Sequence, residues 1–75
     1  MYQEDNLVTL QDYCQYLGWN VSKLAKEAGI TWRTASKAIF QDECSSRTAL
    51  KIVEALSKAM KKDIYVGDLD DLKIL

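Results

Sequence analysis

The sequence predicts an all-α protein, a compact bundle of four to five helices. Three observations carry that expectation. Apolar residues recur at spacings of three and four along most of the chain. The 75 residues include no proline and only three glycines, which suits helices better than many short strands. Gly18 and Gly29 each follow such an apolar stripe, where a helix end favours positive φ.

The elements follow in order. Leu7, Leu10, Cys14 and Leu17 make one apolar face, with Tyr13 beside it, and place a first helix at about 6–17. Asn20 is a good N-cap for a second helix at 21–28. Trp19 before the cap and Leu24 four residues after it fit a hydrophobic staple. Val21, Leu24, Ala25 and Ala28 form the buried face, and Gly29 stops the helix. Thr31 caps a third helix at 32–40, in which Ala35, Ala38 and Ile39 share one face. Trp32, Arg33, Ser36 and Lys37 lie off that face. Residues 41–45 are polar and acidic and read as a loop.

Ser45 or Ser46 opens a fourth helix at 46–61, lined by Ala49, Ile52, Val53, Leu56, Ala59 and Met60. Its basic last turn, with Lys58, Lys61 and Lys62, suits the helix dipole. Beyond Asp63 the run 64–66 looks locally β. Gly67 breaks it, and Asp68 caps a last short helix holding Leu69, Leu72 and Leu75. No repeat, low-complexity tract or linker divides the chain, so residues 1–75 read as one domain.

Composition narrows the function. The chain is 48% hydrophobic and 28% charged, which is ordinary for a globular domain and argues against disorder. A domain this short buries only about 60% of its unfolded surface, so a partner or a second copy would help it. Histidine is absent, which removes the usual general acid–base group and the commonest metal ligand. Cys14 and Cys44 are too far apart for a CxxC pair and have no histidine to complete a zinc set. They read as two reduced thiols, with a disulfide as the alternative and Cys44, in the loop, the more reactive of the two. With no phosphate loop and no nucleophile–base pair, the chain reads as a non-enzyme without cofactor or metal. The acidic start lacks a basic leader, and no 18 apolar residues run together. The expectation is a cytoplasmic protein with no membrane attachment and no small-molecule ligand.

The formal charge is −1, but it is unevenly spread. Residues 1–19 carry three acids and no base; residues 20–62 carry nine bases against four acids, net +5. Residues 63–75 carry four aspartates against Lys73. A basic middle between acidic ends is compatible with one face meeting phosphate, and equally with a mixed solvated surface.

The most specific signal lies in residues 21–40. Only residues 29–31 join the second and third helices, too short for them to lie antiparallel along their length. They must cross steeply, as in a helix-turn-helix. Ala25 stands where the helices approach, and Gly29 where the turn needs positive φ. Leu24, Ala28, Ile30, Ala35 and Ala38 are apolar where the crossing must be filled. Seven positions agree, and neither helix contains a proline.

The stretch VSKLAKEAGITWRTASKAI, followed by SSRTALKIVEALSKAM, resembles the phage repressor/Cro (XRE-class) DNA-binding domains. It is also similar to the lac-repressor family headpiece, which shares A-x-x-A-G-[IV]-[ST]-x-x-T-x-S-[RK]. The resemblance covers about residues 5–62, and the helix ahead of the motif favours the phage repressor class. It implies a lambda-repressor-like bundle whose third helix enters the major groove of double-stranded DNA, in a small transcriptional regulator. Residue by residue, it assigns base contacts to Trp32, Arg33 and Lys37. Backbone contacts fall to Asn20, Ser22, Thr31, Thr34, Ser36, Ser45, Ser46 and Arg47. Val21 departs from the family's frequent glutamine after the cap, and Trp32 is bulky for a groove-facing site. The competing expectation is a protein-interaction module that keeps the fold without binding DNA.

One recognition helix reads few base pairs, which predicts a homodimer on two half-sites about 34 Å apart. The apolar set Ile64, Tyr65, Val66, Leu69, Leu72, Ile74 and Leu75 is the expected dimer surface. The alternative is that this tail folds back on its own core.

Overall fold

The structure, a computed structural model, describes residue 7 and residues 9–41, 43–69 and 72–74. Four α-helices dominate it: α1 Leu10–Leu17, α2 Val21–Ala28, α3 Trp32–Phe40 and α4 Ser46–Met60. Two short strands, β1 Glu43–Cys44 and β2 Lys73–Ile74, add a parallel pair. The molecule measures 27 × 22 × 20 Å.

Each helix begins on a side-chain cap. The Thr9 hydroxyl accepts from the Asp12 N–H at 3.0 Å, and the Asp12 carboxylate accepts from the Thr9 N–H at 3.2 Å. This reciprocal box satisfies two amides that a helix start leaves open. It also explains why α1 starts at Leu10 rather than near residue 6. Leu7 is not helical yet is buried, so it joins the core from outside the helix; residues 6 and 8 lie outside the described residues. The spans of α2 and α3 match the sequence expectation, and α4 ends one residue early.

α1 closes on Gly18 at φ 72°, with the Trp19 N–H donating to the Cys14 carbonyl at 2.8 Å. α2 closes on Gly29 at φ 69°, with the Ile30 N–H donating to the Ala25 carbonyl at 2.9 Å. These left-handed positions are the ones glycine reaches without a Cβ penalty. α4 ends with the same geometry at Lys61, φ 57°, without a glycine.

The core is built on α4 and α2. Leu24, Ile52 and Leu56 are fully enclosed, with Ala35, Ala38 and Ala49 filling the gaps between helices. α2 packs on both α3 and α4. Small residues at the α2–α3 contact let the helix backbones approach closely. Trp19 is half-buried against the same core that holds Leu24, as the staple expectation requires.

The segment after α4 departs from the sequence reading in three ways. Residues 64–66 are not a strand: Val66–Asp68 is a single 3-10 turn. Neither Leu69 nor Leu72, expected in a last short helix, is helical, and residues 70, 71 and 75 lie outside the described residues. Asp68 caps backwards instead of forwards, its carboxylate accepting from the Tyr65 N–H at 3.0 Å. Strand β2 then runs beside β1, with Glu43 opposite Lys73 and Cys44 opposite Ile74. The 41–45 loop is therefore partly strand, because the returning tail offers it backbone partners. Ile64 and Leu69 are buried in the chain's own core, and Val66 and Leu72 pack against it. Tyr65 and Ile74 are the exposed large apolar residues of that tail among the described residues.

Cys14 and Cys44 are both free and buried. Burial pushes the Cys14 thiol up to about 11 and raises Cys44 as well. Cys44, expected in a loop, stands in β1 instead and is buried, and burial of either thiol disfavours the nucleophilic thiolate.

Candidate nucleic-acid interface

α3 is nine residues long and turns Ala35, Ala38 and Ile39 into the core. At 100° per residue the opposite side carries Arg33, Lys37 and Phe40, with Thr34 and Ser36 on its flanks. Arg33, Lys37 and Phe40 are exposed, and Thr34 and Ser36 are half-buried. Trp32 stands at the first helical position and is 57% exposed. The three expected base-contact residues, Trp32, Arg33 and Lys37, therefore share one accessible helix.

The helix starts hold most of the expected backbone contacts. Asn20 caps α2, its Oδ1 accepting from the Lys23 N–H at 2.8 Å, and Ser22 is exposed in the first turn. Thr31 caps α3: its hydroxyl accepts from the Thr34 N–H at 3.2 Å and donates to the Thr34 hydroxyl at 2.9 Å. Ser45 caps α4 in the same way, accepting from the Thr48 N–H at 3.2 Å and donating to the Thr48 hydroxyl at 3.0 Å. Ser46 and Arg47 are exposed beside it.

Two helix starts thus share one local design, Thr31-Trp32-Arg33-Thr34 and Ser45-Ser46-Arg47-Thr48. In each, a hydroxyl chain uses the cap's proton internally. In each, an arginine sits at the second helical position, next to the partial positive charge of the helix N-terminus. Thr48 was not among the expected contacts; its spacing from Ser45, matching Thr34 from Thr31, was the available signal.

Among the described residues, Arg33, Lys37 and Arg47 have no ion-pair partner. Lys23 does: its Nζ lies 3.1 Å from a Glu27 carboxylate oxygen on the exposed side of α2. Those on α3 and at the start of α4 are therefore open to an anion, as are Lys26, Lys51 and Lys58 on other faces of α2 and α4.

Phe40 is the residue that sequence reasoning passed over. It is 66% exposed and continues the outward row of Arg33 and Lys37. The row was legible as spacings of four and three. Phe40 also borders a shallow cleft of about 210 Å³, lined by Cys14, Trp19, Val21, Ile39 and polar Gln11, Gln15 and Asn20.

Among the described residues no group of three or more cysteine or carboxylate side chains stands together to hold a metal. No helix is long and apolar enough to cross a membrane; α4, at 15 residues, reaches only about 22 Å. No protein-family model, no curated protein and no solved structure matches this chain.

Proposed function

We propose that this chain is a helix-turn-helix domain that binds double-stranded DNA sequence-specifically, reading the major groove with α3, and that it serves as a small transcriptional regulator. The observation that carries the reading is the outward face of α3, where exposed Arg33 and Lys37 have no ion-pair partner among the described residues. Arginine is the side chain that pairs most often with guanine in the major groove, through O6 and N7. Phosphate contacts fall to the starts of α2, α3 and α4, where amides, hydroxyls and Arg47 favour anions.

The longest dimension, 27 Å, is shorter than the roughly 34 Å between successive major-groove faces on one side of a duplex. One copy therefore reads one groove segment, and a homodimer supplies the second. Tyr65 and Ile74 are the exposed apolar residues of the tail available to join two copies.

A random-duplex selection with the purified protein tests the reading. Enrichment of one sequence, bound with strong salt dependence, is the expected result. Phe40, exposed beside the cleft, favours a second reading as a protein-interaction module. That reading replaces the first if no duplex is bound at micromolar concentration.

A further inference from the structure

Trp32 has no structural task that accounts for its position. The α3 cap is complete without it, since Thr31 and Thr34 satisfy one another. The helix is held to the core by Ala35, Ala38 and Ile39. A 57% exposed tryptophan leaves a large aromatic face in water. Its chain neighbour Arg33 is exposed and has no ion-pair partner among the described residues.

Side chains of consecutive helical residues point about 100° apart, so Trp32 and Arg33 meet different points along a groove. Neighbouring side chains at a helix start can therefore address neighbouring bases. In the major groove only a pyrimidine carrying a 5-methyl group offers an apolar contact, while guanine offers Arg33 two acceptors. Resting on the DNA reading above, we propose that Trp32 is a specificity-determining residue that packs on the 5-methyl group of a pyrimidine adjacent to the guanine read by Arg33. The recognised step is thus a methylated pyrimidine beside guanine: thymine, or 5-methylcytosine in its place. Unmethylated cytosine at that position is discriminated against because it leaves the indole against a bare ring edge.

The test uses the duplex enriched by selection and replaces its thymines one at a time with deoxyuridine, which removes the methyl and leaves the pairing edge unchanged. The expected result is a roughly four-fold loss of affinity at the thymine beside the essential guanine, the weight of one buried methyl group. Replacing that thymine–adenine pair with cytosine–guanine should weaken binding, and 5-methylation of that cytosine should restore part of it. Trp32→Ala should abolish the thymine–deoxyuridine difference while keeping the guanine preference. A bound duplex indifferent to every methyl, or a methyl effect that persists in Trp32→Ala, overturns the inference and leaves DNA binding intact. If no duplex is bound, both fall together.

Discussion

The Ser57 hydroxyl holds both backbone groups of Ile64: it accepts from the Ile64 N–H at 3.0 Å and lies 3.3 Å from the Ile64 carbonyl, to which it donates. The two residues are seven apart, on either side of the α4 end at Lys61. One side chain thus replaces the ladder that a strand at 64–66 would have needed. It directs the Ile64 side chain into the core, where it is 4% exposed.

Ser57→Ala should therefore cost about 1–3 kcal/mol, the penalty for leaving partly enclosed backbone groups unpaired. Urea unfolding measures it, and faster hydrogen exchange at the Ile64 amide locates it. Unchanged exchange there would mean that the clamp does not hold the tail.

Lys61 adopts a left-handed conformation that costs a residue with a Cβ about 1–2 kcal/mol. Lys61→Gly should raise stability by up to about 1 kcal/mol, the gain reduced by glycine's larger unfolded-state entropy. Thermal unfolding checks it. A lower midpoint would show that Lys61 contributes more by its charge near the helix end than it loses in conformation.

Ala35 is fully buried on the inner side of α3. Ala35→Leu should destabilise by about 1–3 kcal/mol or more, because the added methylenes push the packed helices apart. DNA binding should fall with it, since the displaced helix no longer presents Arg33. Normal stability in denaturant titration would mean that the core has slack at this point.

Arg33→Ala should cost about 1–3 kcal/mol at the cognate site and relax the preference at one base pair. Arg47→Ala should instead weaken all sequences alike and lower the salt slope by about 1. Competition binding against single-base variants over a salt series separates the two. Identical effects of both changes would remove the distinction between base and phosphate contacts.

Cys14 should make stability fall at alkaline pH. Its folded value, pushed up to about 11 by burial, lies above the 9.0 of an exposed thiol. The contribution is present below about pH 9 and is lost as pH rises through about 11, by roughly 2 kcal/mol. Cys14→Ala should flatten that part of the profile, as seen by denaturant unfolding between pH 8 and 11. An equally steep fall in the variant would assign it to other groups.

The helices were legible in the sequence because their causes are local. Caps at Asn20, Thr31 and Ser45, glycines at 18 and 29, and apolar spacings of three and four act within a few residues of one another. The short turn at 29–31 and the small residues around it likewise announce that α2 and α3 pack together. The outward positions of Arg33 and Lys37 follow from the same periodicity. What only the tertiary structure decided lies at the end of the chain. The pairing of Glu43 with Lys73 spans thirty residues, and no local pattern encodes it. Apolar residues at 64, 69 and 72 are compatible with a helix, a strand or a dimer surface. Their fate depends on whether α4 leaves an unfilled core edge and a serine aimed at the returning backbone. The burial of Cys44 was settled there too. Ile64 and Leu69 join the core cluster that holds Ile52 and Leu56, so long-range packing decided the tail where local preference did not.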